Sequence, residues 1–231
     1  MSLNAKKVKG PKQSVEQTLL EAGTYAARLV QIVDLGLQPQ DAFKGQEKPP
    51  AHMIYTTYEL LDEFMVDKEG NPDETKPRWI SEKLPFYSLD QDRAKSTQRY
   101  KALDPNVDHD GEWTELIGLP VMITIGVYKS KSTGKEGNAI LSTATMRAKE
   151  AAKAPELVNK PKVFLLDDPD LDVLLSLPEW LQKLVKDNLE FKGSALYKAL
   201  TKGYSKKEEE EDESEYDGEE SEAQEGEGSP W

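Results

Sequence analysis

No cysteine occurs among the 231 residues, which excludes a disulfide framework and any thiolate zinc site and points to a reducing compartment. Histidine is nearly as scarce, with two in the chain, so little is left for metal chemistry. No stretch approaches the ~18 consecutive apolar residues of a membrane span, and the opening MSLNAKKVKGPK is basic without the apolar core of a signal peptide. The expectation is a soluble protein of the cell interior with no membrane partner.

Basic charge is also in deficit, with 30 Lys and Arg against 43 Asp and Glu, a net charge of −13. Thirteen of those acidic residues fall after position 207, where no basic residue occurs, so the first 207 residues hold 30 of each sign. A neutral body can still carry a basic cleft if its acids lie on other faces. The whole imbalance sits in a tail, residues 206–231, which is low in complexity, self-repelling and expected to be disordered when free.

Residues 1–22 read as a basic N-terminal arm. From Gly23 the pattern turns strand-like: Thr24 to Val33 is rich in β-branched residues and lacks proline. A loop from Leu37 to Pro50 leads to a second strand at His52 to Phe64, and Asp67 to Pro72 is a turn that returns the chain into a third, Arg78 to Leu84. The period then changes to helical through Asp92 to Leu103, with Ser88 or Asp90 as cap and Asp104-Pro105 as stop. Two further strands, Leu119 to Tyr128 and Asn138 to Arg147, flank a glycine-containing hairpin loop. This order predicts a mainly β fold, the five-stranded Greek-key barrel called the OB-fold, with a helix between strands 3 and 4. It occupies residues 23–147, and a helical extension, 148–205, packs on the barrel.

Aromatic and basic residues interleave along that body. Sequence-independent strand binding needs flat side chains for stacking and cations for phosphates. The candidates are Tyr55, Tyr58, Arg78, Trp79, Lys83, Phe86 and Tyr87 on and after strands 2 and 3, Arg93, Lys95 and Arg99 on the helix, and Lys129, Lys131 and Lys135 in the last hairpin. The tail offers a partner-binding segment, Glu208, Glu209, Glu210, Glu211, Asp212 and Glu213, with the aromatic Trp231. Its charge and ring resemble a nucleic-acid strand, so it is expected to contest the cleft or dock on a basic pocket elsewhere.

Enzymatic signatures fail. Ser132 to Glu136 lacks both the leading glycine and the hydroxyl residue of a phosphate loop. Asn106 to Ile117 puts Gly111 correctly for a calcium loop but has isoleucine where the bidentate glutamate belongs. The expectation is no catalytic residue, no metal and no cofactor. The competing class is an acidic-tailed chaperone or assembly factor that binds no DNA, with a nuclease or ligase accessory enzyme behind it.

The run Ala22 to Gly36 (AGTYAARLVQIVDLG), the block Lys76 to Glu82 (KPRWISE), the stretch Lys95 to Pro105 and the acidic ending together resemble single-stranded DNA-binding proteins of tailed bacteriophages. The resemblance implies an OB-fold, sequence-independent binding of single-stranded DNA in replication and recombination, action in the cytoplasm of a bacterial host, and tail contacts with a polymerase, helicase or primase. Trp231 matches in kind the aromatic with which the tails of related phage proteins end.

Overall fold

A computed structural model describes residues 18–42, 45–130 and 133–201. The expected acidic tail, most of the N-terminal arm and Lys131 lie outside the described residues. The body is mainly β. Its strands are β1 (Gly23–Gln38), β2 (Ala51–Val66), β3 (Pro72–Pro85), β4 (Pro120–Lys129), β5 (Glu136–Thr145) and β6 (Lys162–Phe164). The ladder runs β3-β2-β1-β4-β5 with antiparallel neighbours, and β6 joins β1 in parallel.

β1 is the centre of this sheet because nearly all of it is buried on both faces. Its N-terminal half pairs β4 from Gly23↔Ile125 to Arg28↔Pro120, and its C-terminal half pairs β6 through Gln31 to Val33. On the inner face Ala27, Leu29 and Ile32 meet Ile54, Leu60, Ile80, Leu84, Val121, Ile123 and Ile125 in the main core. On the other face Val33 and Leu35 join Met53, Phe164, Leu166, Leu174, Leu181 and Val185 in a second core. The second core is built by α3 (Leu171–Ser176), α4 (Glu179–Lys186) and residues 195–201, which are helical. Gly36, at φ +66° beside a bulge, lets this layer close on the sheet: a Cβ there would stand 2.7 Å from Leu166 Cδ1.

The ladder is not closed, since β3 and β5 end the path without pairing each other. Side chains span the seam instead. α1 (Lys95–Leu103) places Arg99 across it, with Nε donating to Glu82 Oε1 of β3 at 2.6 Å and Nη2 to the Ile140 carbonyl of β5 at 3.4 Å. At the far end, Arg78 Nη2 of β3 donates to the Thr18 carbonyl at 2.6 Å. The side-chain amide of Asn138 on β5 exchanges two hydrogen bonds with the Leu20 backbone, both at 2.9 Å.

Several elements differ from the sequence expectation: β3 starts at Pro72 and not at Arg78, and β1 runs on to Gln38, into the expected loop. The helix starts at Lys95 and not at Asp92; Ala94 is extended and gives no side-chain cap. Burial of Ser96, Thr97, Arg99 and Tyr100 against the seam sets its register. Within the C-terminal extension, β6 is a strand too short for any periodicity to reveal, and α2 (Ala148–Ala151) is a single turn. Among the described residues no helix is long and apolar enough to cross a membrane.

Candidate nucleic-acid interface

The outer face of β1, β2 and β3 is polar at the level of Arg28 to Gln31, beside the second core, and is covered by the chain itself. Across it run Gln31, Thr57 and Ser81, linked as Gln31 Nε2 to Thr57 Oγ1 at 3.2 Å and Ser81 Oγ to Thr57 Oγ1 at 3.0 Å. Beside them Arg28 and Glu59 face each other across β1 and β2. Arg28 donates to the carbonyls of Gly118, Ala154 and Pro155 at 2.5, 2.9 and 2.7 Å. Glu59, 1% exposed, accepts from the backbone N–H of Val158 at 2.7 Å, from the backbone N–H and side-chain amide of Asn159 at 3.2 and 2.6 Å, and from Trp79 Nε1 at 3.2 Å. These two charges latch residues 154–159 over the sheet, and the second core covers the same face from Val33 to Leu35.

That cover decides where the candidate aromatics stand. Tyr58 is wholly buried in the main core, and burial pushes its hydroxyl far above the ordinary tyrosine range; it has no face to offer a base. Tyr55 lies on the outer side but packs into the second core, its ring edge-on to Trp180 at 5.4 Å. Trp79 keeps 41% exposure while its indole N–H serves the latch. Arg99 is 1% exposed and committed to Glu82, so it is a seam residue and not a phosphate contact. From sequence, a basic residue on a short polar helix reads as solvated; the acidic partner 17 positions earlier is invisible.

The remaining candidates divide between two ends of the sheet. Where β3 hands over to α1, Lys83, Phe86, Tyr87, Arg93 and Lys95 are all exposed, Phe86 by 40% and Tyr87 by 36%. Phe86 donates its N–H to the His52 carbonyl at 2.7 Å, and its ring centroid stands 5.9 Å from that of His52 and 6.4 Å from that of Trp113. Tyr87 is fixed by its N–H to Ser96 Oγ at 3.2 Å and lines, with Asp90, Gln91, Asp92 and Arg93, an open hollow of about 600 Å³. Asp92 is drawn below the usual carboxylate range by Lys101, whose Nζ is 2.6 Å away, so part of the acid beside this patch is neutralised locally.

At the opposite end lie Arg78, Lys129 and Lys135, the lysines exposed on the β4–β5 hairpin. Sequence reading missed Tyr128, which is 52% exposed there. A third feature is a mostly apolar hollow of about 760 Å³ floored by Ala26, Leu61, Met122 and Met146 and rimmed by Arg147, Lys149 and Lys153. Among the described residues no group of three His, Asp or Glu converges to hold a metal ion. No family model and no curated protein matches the chain.

Proposed function

We propose that this protein binds single-stranded DNA without regard to sequence, through an OB-type body of the kind found in bacteriophage single-stranded DNA-binding proteins, and that it acts in replication or recombination inside a bacterial host. The observation that carries the reading is the exposed pair Phe86 and Tyr87, held rigidly between Lys83 and Arg93-Lys95 where β3 passes into α1. Rigid rings supply stacking worth ~1–3 kcal/mol per base, and the flanking cations supply phosphate contacts. The element order, three strands, a helix and two strands, with the helix bridging the seam, supports the OB-type body. Because residues 154–159 and the second core cover the outer sheet face, the strand runs along the sheet's ends and edge rather than across β1 and β2. The acidic stretch from Glu208 recruits a polymerase, helicase or primase and competes with DNA for the basic patch.

The test is a fluorescence-anisotropy titration of a labelled thymidine oligonucleotide with the full chain and with residues 208–231 removed, across salt and with duplex competitor. The expected result is single-strand preference, tighter binding without the tail, and a log–log salt slope of roughly 0.7 per phosphate neutralised. Absence of binding by both forms would overturn the reading in favour of the acidic-tailed chaperone.

A further inference from the structure

The latched segment ends the cover at Ala154 and Pro155, and on its hairpin side the outer face opens into the hollow of about 760 Å³. The floor crosses the ladder: Leu61 comes from β2, Ala26 from β1, Met122 from β4 opposite Ala26, and Met146 follows β5. Ala26 lies on the same side of β1 as Arg28, two residues on, and its lone methyl group leaves open the space that a larger side chain would fill. Met146 is 6% exposed, while Ala26, Leu61 and Met122 are half-buried. An opening of this size falls within the ~300–1,000 Å³ of sites that take small ligands.

The wall toward the latch is fixed. Arg28, whose side chain is 9% exposed, donates to the carbonyls of Ala154 and Pro155 at 2.9 and 2.7 Å. The rim that leads into this wall is basic. Lys149 and Lys153, four residues apart on and after the single turn α2, are exposed, and among the described residues neither ammonium forms an ion pair. Arg147 is paired with Glu150. The other acid of the rim, Asp62, belongs to β2, which the ladder separates from β5 and the turn after it.

We propose that this hollow is a base-binding subsite, which takes one nucleobase of the strand while Lys149 and Lys153 hold the phosphate that carries it. The inference rests on the single-stranded DNA reading and adds a pocket to the stacking patch at Phe86 and Tyr87. A nucleobase is a flat ring joined to an anion, and a hollow that is apolar below and cationic along one rim matches both halves. Methionine suits such a floor: its unbranched, polarisable thioether makes favourable contacts with aromatic rings and adapts to purine or pyrimidine alike. Two lysines match one phosphate group, whereas the run of carboxylates in an acidic peptide would also meet Asp62 and Glu150. Asp62 repels phosphate, which confines the backbone of the strand to the α2 side.

The experiment uses the full chain in four forms: unchanged, Ala26→Leu, Ala26→Ser, and Lys149→Gln with Lys153→Gln. Leucine fills the hollow from its floor, whereas serine leaves it open. Binding to a thymidine oligonucleotide should weaken about 10-fold with Ala26→Leu and stay within about 2-fold with Ala26→Ser. Neither should alter binding to an oligonucleotide of the same length built of abasic deoxyribose phosphates. The double lysine variant should weaken both and lower the salt slope by roughly 0.7, the share of one phosphate. In the unchanged chain with carbon-13 methionine methyls, the thymidine oligonucleotide should shift the signals of Met122 and Met146 and leave that of Met53, buried in the second core, in place. Full thymidine affinity in Ala26→Leu, or methyl signals that do not move, would overturn the subsite and leave strand binding standing. Signals moved by a glutamate-rich peptide and not by the oligonucleotide would overturn it in favour of a protein partner. No binding of either oligonucleotide by the unchanged chain would overturn both the subsite and the reading on which it rests.

Discussion

Around Arg28 to Gln31 both faces of the central strands are buried, and they are held by opposite chemistry. The inner face of β1, β2 and β4 is aliphatic, with Ala27, Leu29, Ile54, Leu60, Ile123 and Ile125 packed side by side. The outer face carries Arg28, Gln31, Thr57 and Glu59, all below 8% exposure, and its partner is a segment of backbone bound atom by atom. An aliphatic face loses stability in proportion to the atoms removed and the cavity left. A buried polar face loses it in steps, because each deleted acceptor strands several donors. The two faces should therefore fail differently.

The largest effect is expected inside. Ile123→Ala should lower unfolding free energy by about 3–4 kcal/mol, read as a shifted urea midpoint with an unchanged slope, because the whole sheet loses its packing together. Glu59→Ala should cost about 3 kcal/mol, since removal of the carboxylate leaves the N–H groups of Val158 and Asn159 and the Trp79 indole unpaired. Here hydrogen exchange should accelerate first at residues 156–164, ahead of the inner strands. If both variants accelerate exchange uniformly, the distinction between the faces disappears and the latch is simply part of one cooperative core.

A milder change separates the latch from the second core. Trp180 is half exposed and touches the sheet through the edge of Tyr55, so Trp180→Ala should cost only about 1–2 kcal/mol, less than a fully buried aromatic. It should leave exchange at residues 156–159 unchanged, because Arg28 and Glu59 hold those residues independently of α4. Accelerated exchange there would join the two layers into one unit.

The sequence discloses the inner face far better than the outer. β1, β2 and β4 are rich in Val, Ile and Thr and read as strands at once, and the helix between β3 and β4 is legible from its change of period. Which aromatic faces inward is not: Tyr55 and Tyr58 sit three residues apart on one unbroken strand, so alternation puts them on opposite faces, but both faces are covered and the sequence does not say which is the main core. Arg28 and Glu59 read as surface charges because their partners are backbone groups 90 to 130 residues away. Phe86, Tyr87, Arg93 and Lys95 are identifiable as a patch because they are close in the chain, whereas Tyr128 becomes visible only once Gly137 is seen beneath it.

The smallest effect sits where the outer layer meets the rim of the sheet. His52 Nε2 lies 2.7 Å from Asp34 Oδ1 at the mouth of a hollow that also holds Asp167 and Glu190. The hydrogen bond to Asp34 raises the imidazole above its ordinary value, against the opposing pull of burial. A raised folded value means the proton is held more tightly in the native state. The resulting stability is fully present below the unfolded value of about 6.5 and is lost as pH rises through the folded one. Because the His52 side chain is 46% exposed, solvent screening keeps the gain under about 1 kcal/mol. The unchanged protein should therefore have a slightly higher urea midpoint at about pH 6 than at about pH 8.5, by an amount that shrinks in high salt. His52→Gln should remove that difference while leaving the midpoint at the higher pH nearly unchanged; a difference that survives the substitution would assign the pH dependence to another group.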